Sequence, residues 1–268
     1  MGLEDLRRAL DWAATEGWNP GLGDAEAFLA ADPEGFFVAD IDEQTVAAIS
    51  VVNHGPEFAF LGLYLCLPQY RGQSIGYGLW QHALTHAGDR VVGLDGVPDQ
   101  QPNYRKSGFD LTGQTYRFSG SLAGRQAKGL RPVSSADIPD LIALEAHANG
   151  YAKPGFMSAW LTDMPARRSL VLGDVPRGFV TIRTCRDGYK IGPLVAESIA
   201  DAETLIRGAV DLMRPGEVMI DVPDDCVPLM RFCEDEGLTV SFNTARMYRG
   251  SPPRVGALLR AIATMELG

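Results

Sequence analysis

The chain has 268 residues, of which 46% are apolar and 22% charged, a balance that builds a buried core and excludes a disordered or fibrous chain. A formal net charge of −10 works against phosphate backbones, so nucleic acid is not an expected partner, while a cationic acceptor such as an amine is weakly favoured. No signal-peptide pattern opens the sequence, and the longest apolar run, Phe58 to Leu67, is too short to span a bilayer, so no membrane partner is expected. The cysteines Cys66, Cys185, Cys226 and Cys233 form no CxxC pair; they read as reduced thiols of a soluble, cytoplasmic protein.

In chain order, the spacing of Leu6, Ala9, Leu10 and Ala13 predicts a helix over 3–15, and 24–31 reads as a second, shorter one. Two strands at 36–40 and 45–53 are joined across Asp42-Glu43. The apolar run 58–67 has the character of a strand covered on both faces. A helix at 76–87, a strand at 90–94, a short helix at 101–107 and a strand at 115–118 complete this half. The order α-α-β-β-β-α-β-α-β predicts an α+β fold, an α/β sandwich.

Two stretches echo each other. Val91 to Asp99, a helical segment and Thr115 to Gly120 match Val218 to Asp224, a helical segment and Ala245 to Gly250. A single long-period repeat points to duplication of a domain rather than to a solenoid. With the small, polar segment 121–128 as linker, the expected domains are 1–120 and 129–268.

Chemistry concentrates in Tyr64-Leu65-Cys66-Leu67-Pro68-Gln69-Tyr70-Arg71-Gly72-Gln73-Ser74-Ile75-Gly76-Tyr77-Gly78. A strand ends at Pro68, which has no N–H to donate, and a basic turn leads straight into a helix. Glycines there allow close backbone approach, the helix N-terminus offers unpaired N–H groups and Arg71 adds positive charge, which together suit an anion. The spacing of Gly72, Gly76 and Gly78 is not that of a dinucleotide fingerprint, and GxxxxGK[ST] is absent.

Leu67 to Gly76 resembles the pyrophosphate loop of the GNAT superfamily of N-acetyltransferases, with Ser74 where glycine is usual. Asn103-Tyr104-Arg105-Lys106-Ser107-Gly108-Phe109 resembles that superfamily's second signature. Trp12 to Gly21, Leu94 to Val97 and Met265 to Gly268 resemble a tandem subgroup of the YitH type, in which a full GNAT domain precedes a divergent one. The resemblance implies two GNAT-like domains with mixed, mostly antiparallel sheets flanked by helices. It also implies an N-acetyltransferase that takes acetyl-CoA, or another acyl-CoA, as co-substrate and passes the acyl group to the amine of a small molecule in a ternary complex, with no metal.

On that resemblance, Leu65, Cys66, Leu67, Arg71, Gly72, Gln73, Ser74, Ile75, Gly76, Tyr77, Gly78 and Asn103 would hold CoA, beside a strand bulge that opens a slot. The amide of Leu65 would stabilise the oxyanion and Tyr104 would protonate the leaving thiolate. Trp18, Asn19, Glu57 and Asp95 are candidates for the acceptor side, the last two as bases. The alternative reading is a CoA-binding sensor or scaffold without turnover; monomer and homodimer both stay open. His82 and His86 lie at i, i+4 without a further ligand and read as a solvated face. Around Gly192 to Asp201 the second half lacks the glycine turn and the arginine, and Cys233 stands where the first half has Tyr104, so CoA is not expected there.

Overall fold

The apolar stripe near the start closes into helix α1 (Leu3–Thr15), which buries Leu6, Ala9, Leu10 and Ala13. In the computed structural model, which describes residues 1–268, there follow α2 (Asp24–Ala31), β1 (Phe36–Ile41), β2 (Gln44–Asn53), β3 (Phe58–Cys66), α3 (Ile75–Ala87), β4 (Val91–Gly96), α4 (Gln101–Lys106) and β5 (Asp110–Ser121). The second half contains β6 (Leu130–Pro132), α5 (Ile138–Asn149), α6 (Pro154–Leu161), β7 (Arg167–Leu172), β8 (Gly178–Thr184), β9 (Tyr189–Ala196), α7 (Ile199–Asp211), β10 (Glu217–Pro223), α8 (Val227–Asp235), β11 (Thr239–Arg249) and β12 (Leu259–Ala261). The mixed α+β architecture and mostly antiparallel sheet agree with the expected fold class. No helix is long and apolar enough to cross a membrane.

All strands join one twelve-stranded sheet in the order β1-β2-β3-β4-β11-β5-β10-β9-β8-β7-β6, with β12 on β9. The two echoing stretches are β4-α4-β5 and β10-α8-β11, and they exchange their last strands. Strand β11 adds to β4, β5 adds to β10, and the two exchanged strands pair with each other. A reciprocal pair of buried ion pairs fastens the exchange. Arg117 on β5 grips Asp221 on β10 at 2.7 and 2.9 Å, and Arg246 on β11 grips Asp95 on β4 at 3.0 and 2.7 Å. Each joins a strand of one half to a strand of the other.

Three cores result. One lies between α3 and strands β2, β3, β4 and β11; a second lies under α7 and α8. The third is shared by both halves: α1 and α2 meet α5 and α6 around Phe28, Phe156 and Trp160, with Leu63 and Leu65 of β3 beneath. After β12, residues 262–268 run buried through this shared core. Their carbonyls are held by Arg183 (to Ala263, 3.1 Å), by His54 Nε2 (to Leu267, 2.8 Å) and by Lys153 (to Gly268).

Candidate active site

Strand β3 stops where Pro68 removes a ladder donor, and a short turn over Pro68–Tyr70 redirects the chain. Gly72 (φ 76°) and Ser74 (φ 62°) then sit in the left-handed region, so the loop curls before α3 starts at Ile75. The curl has a consequence for hydrogen bonding. The amide of Arg71 still finds the Pro68 carbonyl, and that of Gly78 finds Ser74, but no amide from Gly72 to Tyr77 donates to a protein acceptor. Six successive N–H groups thus converge without partners at the positive end of a helix, the arrangement that receives phosphate oxygens. Ser74 departs from glycine yet holds the left-handed conformation, which costs a Cβ-bearing residue about 1–2 kcal/mol.

The loop borders a cleft of about 500 Å³. Of the residues expected at CoA, Leu65, Cys66, Arg71, Gly72, Ser74, Ile75, Gly76 and Tyr77 line it. Arg71 lies at its lip, with Nε on the Cys66 carbonyl (2.8 Å) and Nη2 on Glu16 (2.6 Å), both side chains about half exposed. Leu67, Gln73, Gly78 and Asn103 do not line the cleft; Gln73 bonds the Gln69 carbonyl and Asn103 the side chain of Gln100.

The cleft leads into a slot between β3 and β4. Their parallel pairing runs from Phe58↔Val91 to Leu61↔Leu94 and ends there. One residue later β3 bulges: Ser50↔Gly62 is followed by Ala48↔Leu65, so three steps on β3 answer two on β2, with Leu63 at φ 48°. The extra residue also reverses the faces, so Ala59 and Leu61 pack under α3 while Leu63 and Leu65 turn to the shared core. The Leu67 amide bonds the Val46 carbonyl at 2.9 Å, and antiparallel alternation therefore turns the Leu65 amide onto β2. The neighbouring Cys66 amide is the one that faces the slot.

Tyr104, on α4, stands at the slot's far wall. It stacks on Trp80 (centroids 5.3 Å apart) and packs on Gly96, where a Cβ would collide with its ring. Its hydroxyl bonds no protein group, and burial, with Tyr64 nearby, raises its pKa above the ordinary phenol value. It stays protonated throughout the physiological range.

Beyond Tyr104 a narrow inner pocket of about 60 Å³ continues from the cleft, sharing Trp18, Tyr64, Val97 and Gln100 with it. The second half supplies Phe242, Thr244, Met265 and Glu266 to its wall, and β5 supplies Arg117. Met265 and Glu266 lie in the stretch Met265 to Gly268 that carries the resemblance but were given no role from the sequence, and Phe242, Thr244 and Arg117 were given none either; in the sheet Arg117 and Arg246 each pair opposite the aspartate of the other copy, Asp221 and Asp95.

Asp95 does line this pocket, but both its oxygens belong to Arg246, with Thr244 at 3.3 Å. Its pKa is raised by burial against the pull of Arg246, and its evident work is to hold an exchanged strand. Glu57 is exposed at the opposite end of β3, eight residues from Leu65, a span of roughly 25 Å at strand rise. Asn19 does not line either cavity: its side chain bonds the Asp187 backbone, at 2.8 Å to the carbonyl and 3.3 Å from the amide. Trp18 lines both.

A bulged strand splayed from its parallel neighbour, with an unsatisfied helix start beside it, defines an acyltransferase fold, and comparison with known proteins agrees. The GNAT family profile, an acetyltransferase family, matches residues 3–109, and a GNAT acetyltransferase domain profile matches 141–257. The Holothin acyltransferase of Pseudoalteromonas sp. (strain SANK 73390) is 35% identical over 99% of this chain and 92% of its own. Two solved structures share the fold. A Pyrococcus horikoshii protein described as an acetyltransferase superposes with TM-score 0.83 over 100% of this chain and 94% of its own, at 20% identity. A tandem GNAT protein from the clavulanic acid biosynthesis pathway gives 0.63 over 94% and 96%, at 15% identity. The chain belongs to the GNAT acyltransferase superfamily, with a GNAT domain in each half.

Proposed function

We propose that the protein transfers an acetyl group from acetyl-CoA to the amine of a small molecule, by direct attack in a ternary complex. In this reading it works in the cytoplasm, without metal, as a member of the tandem YitH-type subgroup. The observation that carries the reading is the run of six unpartnered amides from Gly72 to Tyr77, opening on a cleft continuous with the β3–β4 slot. A diphosphate supplies the acceptors those amides lack, and the exposed inner edge of β3 past Leu61 supplies a backbone for a pantetheine arm.

The thioester carbonyl then lies beside the bulge, where the Cys66 amide meets the oxygen as negative charge develops. As the tetrahedral intermediate collapses, the carbon–sulfur bond breaks and the sulfur takes the proton of Tyr104. The small acceptor enters the inner pocket beside Trp18. The relative's name makes holothin the first amine to try.

The test is calorimetric titration with acetyl-CoA, followed by thiol release in the presence of holothin and a panel of small amines. Micromolar binding with amine-dependent release is the expected result. Binding without release from any amine would leave a CoA sensor, and absence of binding would remove the acyl-CoA reading.

A further inference from the structure

The general base is missing from β3 and β4. Glu57 is remote and Asp95 is neutralised by Arg246. The buried run after β12 carries a carboxylate to the place where one is needed.

Glu266 is 4% exposed and lines the inner pocket together with Tyr104, Trp18 and Phe242. Its backbone carbonyl sits directly over Gly62, the residue at which β3 and β4 part; a Cβ there would collide with it. Its carboxylate is oriented from within its own segment: Thr264 Oγ1 donates to Oε2 and accepts the Glu266 amide at 3.0 Å. The other oxygen, Oε1, bonds no protein group, yet it is not among the polar atoms sealed from space.

The surrounding charges sharpen the point. Arg117 on β5, Arg183 on β8 and Lys190 on β9 all sense Glu266, and Asp221 on β10 and Asp24 on α2 belong to the same buried group. Each cation is engaged elsewhere: Arg117 on Asp221, Arg183 on Asp24 at 3.3 Å, and Lys190 on the Trp18 carbonyl at 2.8 Å. No cation lies within 4.0 Å of Glu266. An acidic group with no protein cation in direct contact, one oxygen free and facing a pocket, can receive a cation from outside.

We infer that Glu266 binds the ammonium of the acceptor and takes its proton. The inference rests on the acyl-transfer reading. The pocket wall of Trp18, Phe242 and Met265 fits a primary amine carried on a flat, mainly apolar body. One proton passes from the ammonium to the Glu266 carboxylate, and the freed nitrogen lone pair forms a bond to the thioester carbon. Collapse breaks the carbon–sulfur bond, the sulfur leaves with the electron pair and takes the proton of Tyr104, and the amide nitrogen's surplus proton returns to Tyr104 through water. The amide, the thiol and the proton on Glu266 account for every hydrogen.

The test uses the whole protein with acetyl-CoA, following thiol release with phenethylamine, tryptamine or holothin, and with hydroxylamine, which is uncharged at neutral pH. Glu266→Gln should lower kcat/KM for the organic amines by about 100-fold. It should leave acetyl-CoA affinity within threefold and change the hydroxylamine rate by less than tenfold. Glu266→Asp should restore part of the loss, and Thr264→Val, which frees the carboxylate without removing it, should mainly raise KM. Rates for Glu266→Gln within threefold of the parent from pH 6 to 9, or equal losses with hydroxylamine and the organic amines, overturn the role. A parent protein that binds acetyl-CoA but acylates none of the three amines overturns the amine site as well. One that binds no acetyl-CoA overturns the acyl-transfer reading instead.

Discussion

Ahead of α3, six amides reach open space; ahead of α7, the chain caps itself. Ser198 Oγ accepts the Asp201 amide at 3.1 Å and donates to the Asp201 carboxylate, which also meets Arg177 at 3.3 Å. The contrast continues along the slots. Between β3 and β4 the gap past Leu61 and Leu94 leads into cavities. Between β9 and β10 the parallel pairing likewise ends, at Ile191↔Ile220, but β12 fills the wedge, paired through Leu259 and Ala261 to β9, with the Ile262 amide on the Asp221 carbonyl. Gly62 and Gly192 mark the same point in the two copies, and each is pressed by a carbonyl of the final segment. Where Tyr104 turns its hydroxyl to a pocket, Cys233 is fully buried, its thiol pushed up to about 12 by desolvation. In the second copy the protein itself supplies partners to these groups; in the first the loop amides stay unpartnered, which is what the proposed acyl-CoA site requires.

The comparison can be broken most severely at what the copies share. Asp221→Ala and Asp95→Ala each strand a buried guanidinium, and each should cost about 3–5 kcal/mol in urea unfolding. Values that differ by more than about 2 kcal/mol would mean that the two exchanged strands are not equivalently fastened. Tyr104→Phe separates the halves by chemistry: kcat should fall by about 100-fold with acetyl-CoA affinity unchanged, whereas Cys233→Ser should leave kcat as it was.

Acid should loosen the final segment. Burial and Lys153 hold His54 down at about 3 in the folded protein, against 6.5 for an ordinary histidine, so unfolding takes up a proton between those values. Stability is therefore complete above about pH 6.5 and declines below it by about 1.4 kcal/mol per pH unit. His54→Gln, which retains a donor for the Leu267 carbonyl, should flatten that slope in pH-dependent unfolding. A smaller effect comes from giving the first loop the acidity of the second. Gln73→Glu with Tyr77→Asp should weaken acetyl-CoA binding about tenfold at low salt, and less as salt screens the new charges. Smallest of all, Ser74→Gly relieves the left-handed strain at some cost in chain entropy and should raise stability by about 0.5–1 kcal/mol without altering turnover.

Much of the site was legible because it is local. The strand, the proline stop, the basic turn and the helix start occupy consecutive residues, and Tyr104 sits in a recognisable pattern before Gly108. Helix bounds such as Leu3–Thr15 and Asp24–Ala31 follow from apolar spacing and were read to the residue. The strand expected over 115–118 turns out to span Asp110–Ser121, since its polar start is stabilised by pairing with β11 rather than by its own pattern. What stayed hidden depends on partners far away in the chain. Asp95 looked like a free strand-end acid because Arg246 lies 151 positions further on. Glu266 was given no role because its burial comes from contacts far away in the chain, among them Gly62 of β3. The aspartate recurs in the two copies as Asp95 and Asp221, but Arg117 and Arg246 fall one position out of step in the sequence echo, and only the sheet register brings each arginine opposite an aspartate.

The exchanged strands also govern the order in which this protein can come into being. The sheet that carries the 72–77 loop is not closed on β4 until Thr239 to Arg249 have left the ribosome, so the first half waits for a strand of the second. Until then the β4 edge is bare, and a shortened chain offers that edge to its neighbours rather than yielding a smaller enzyme. Conversely, a single protease nick between Ala123 and Lys128 in the finished protein severs the backbone but leaves the two pieces interlocked through β5 and β11.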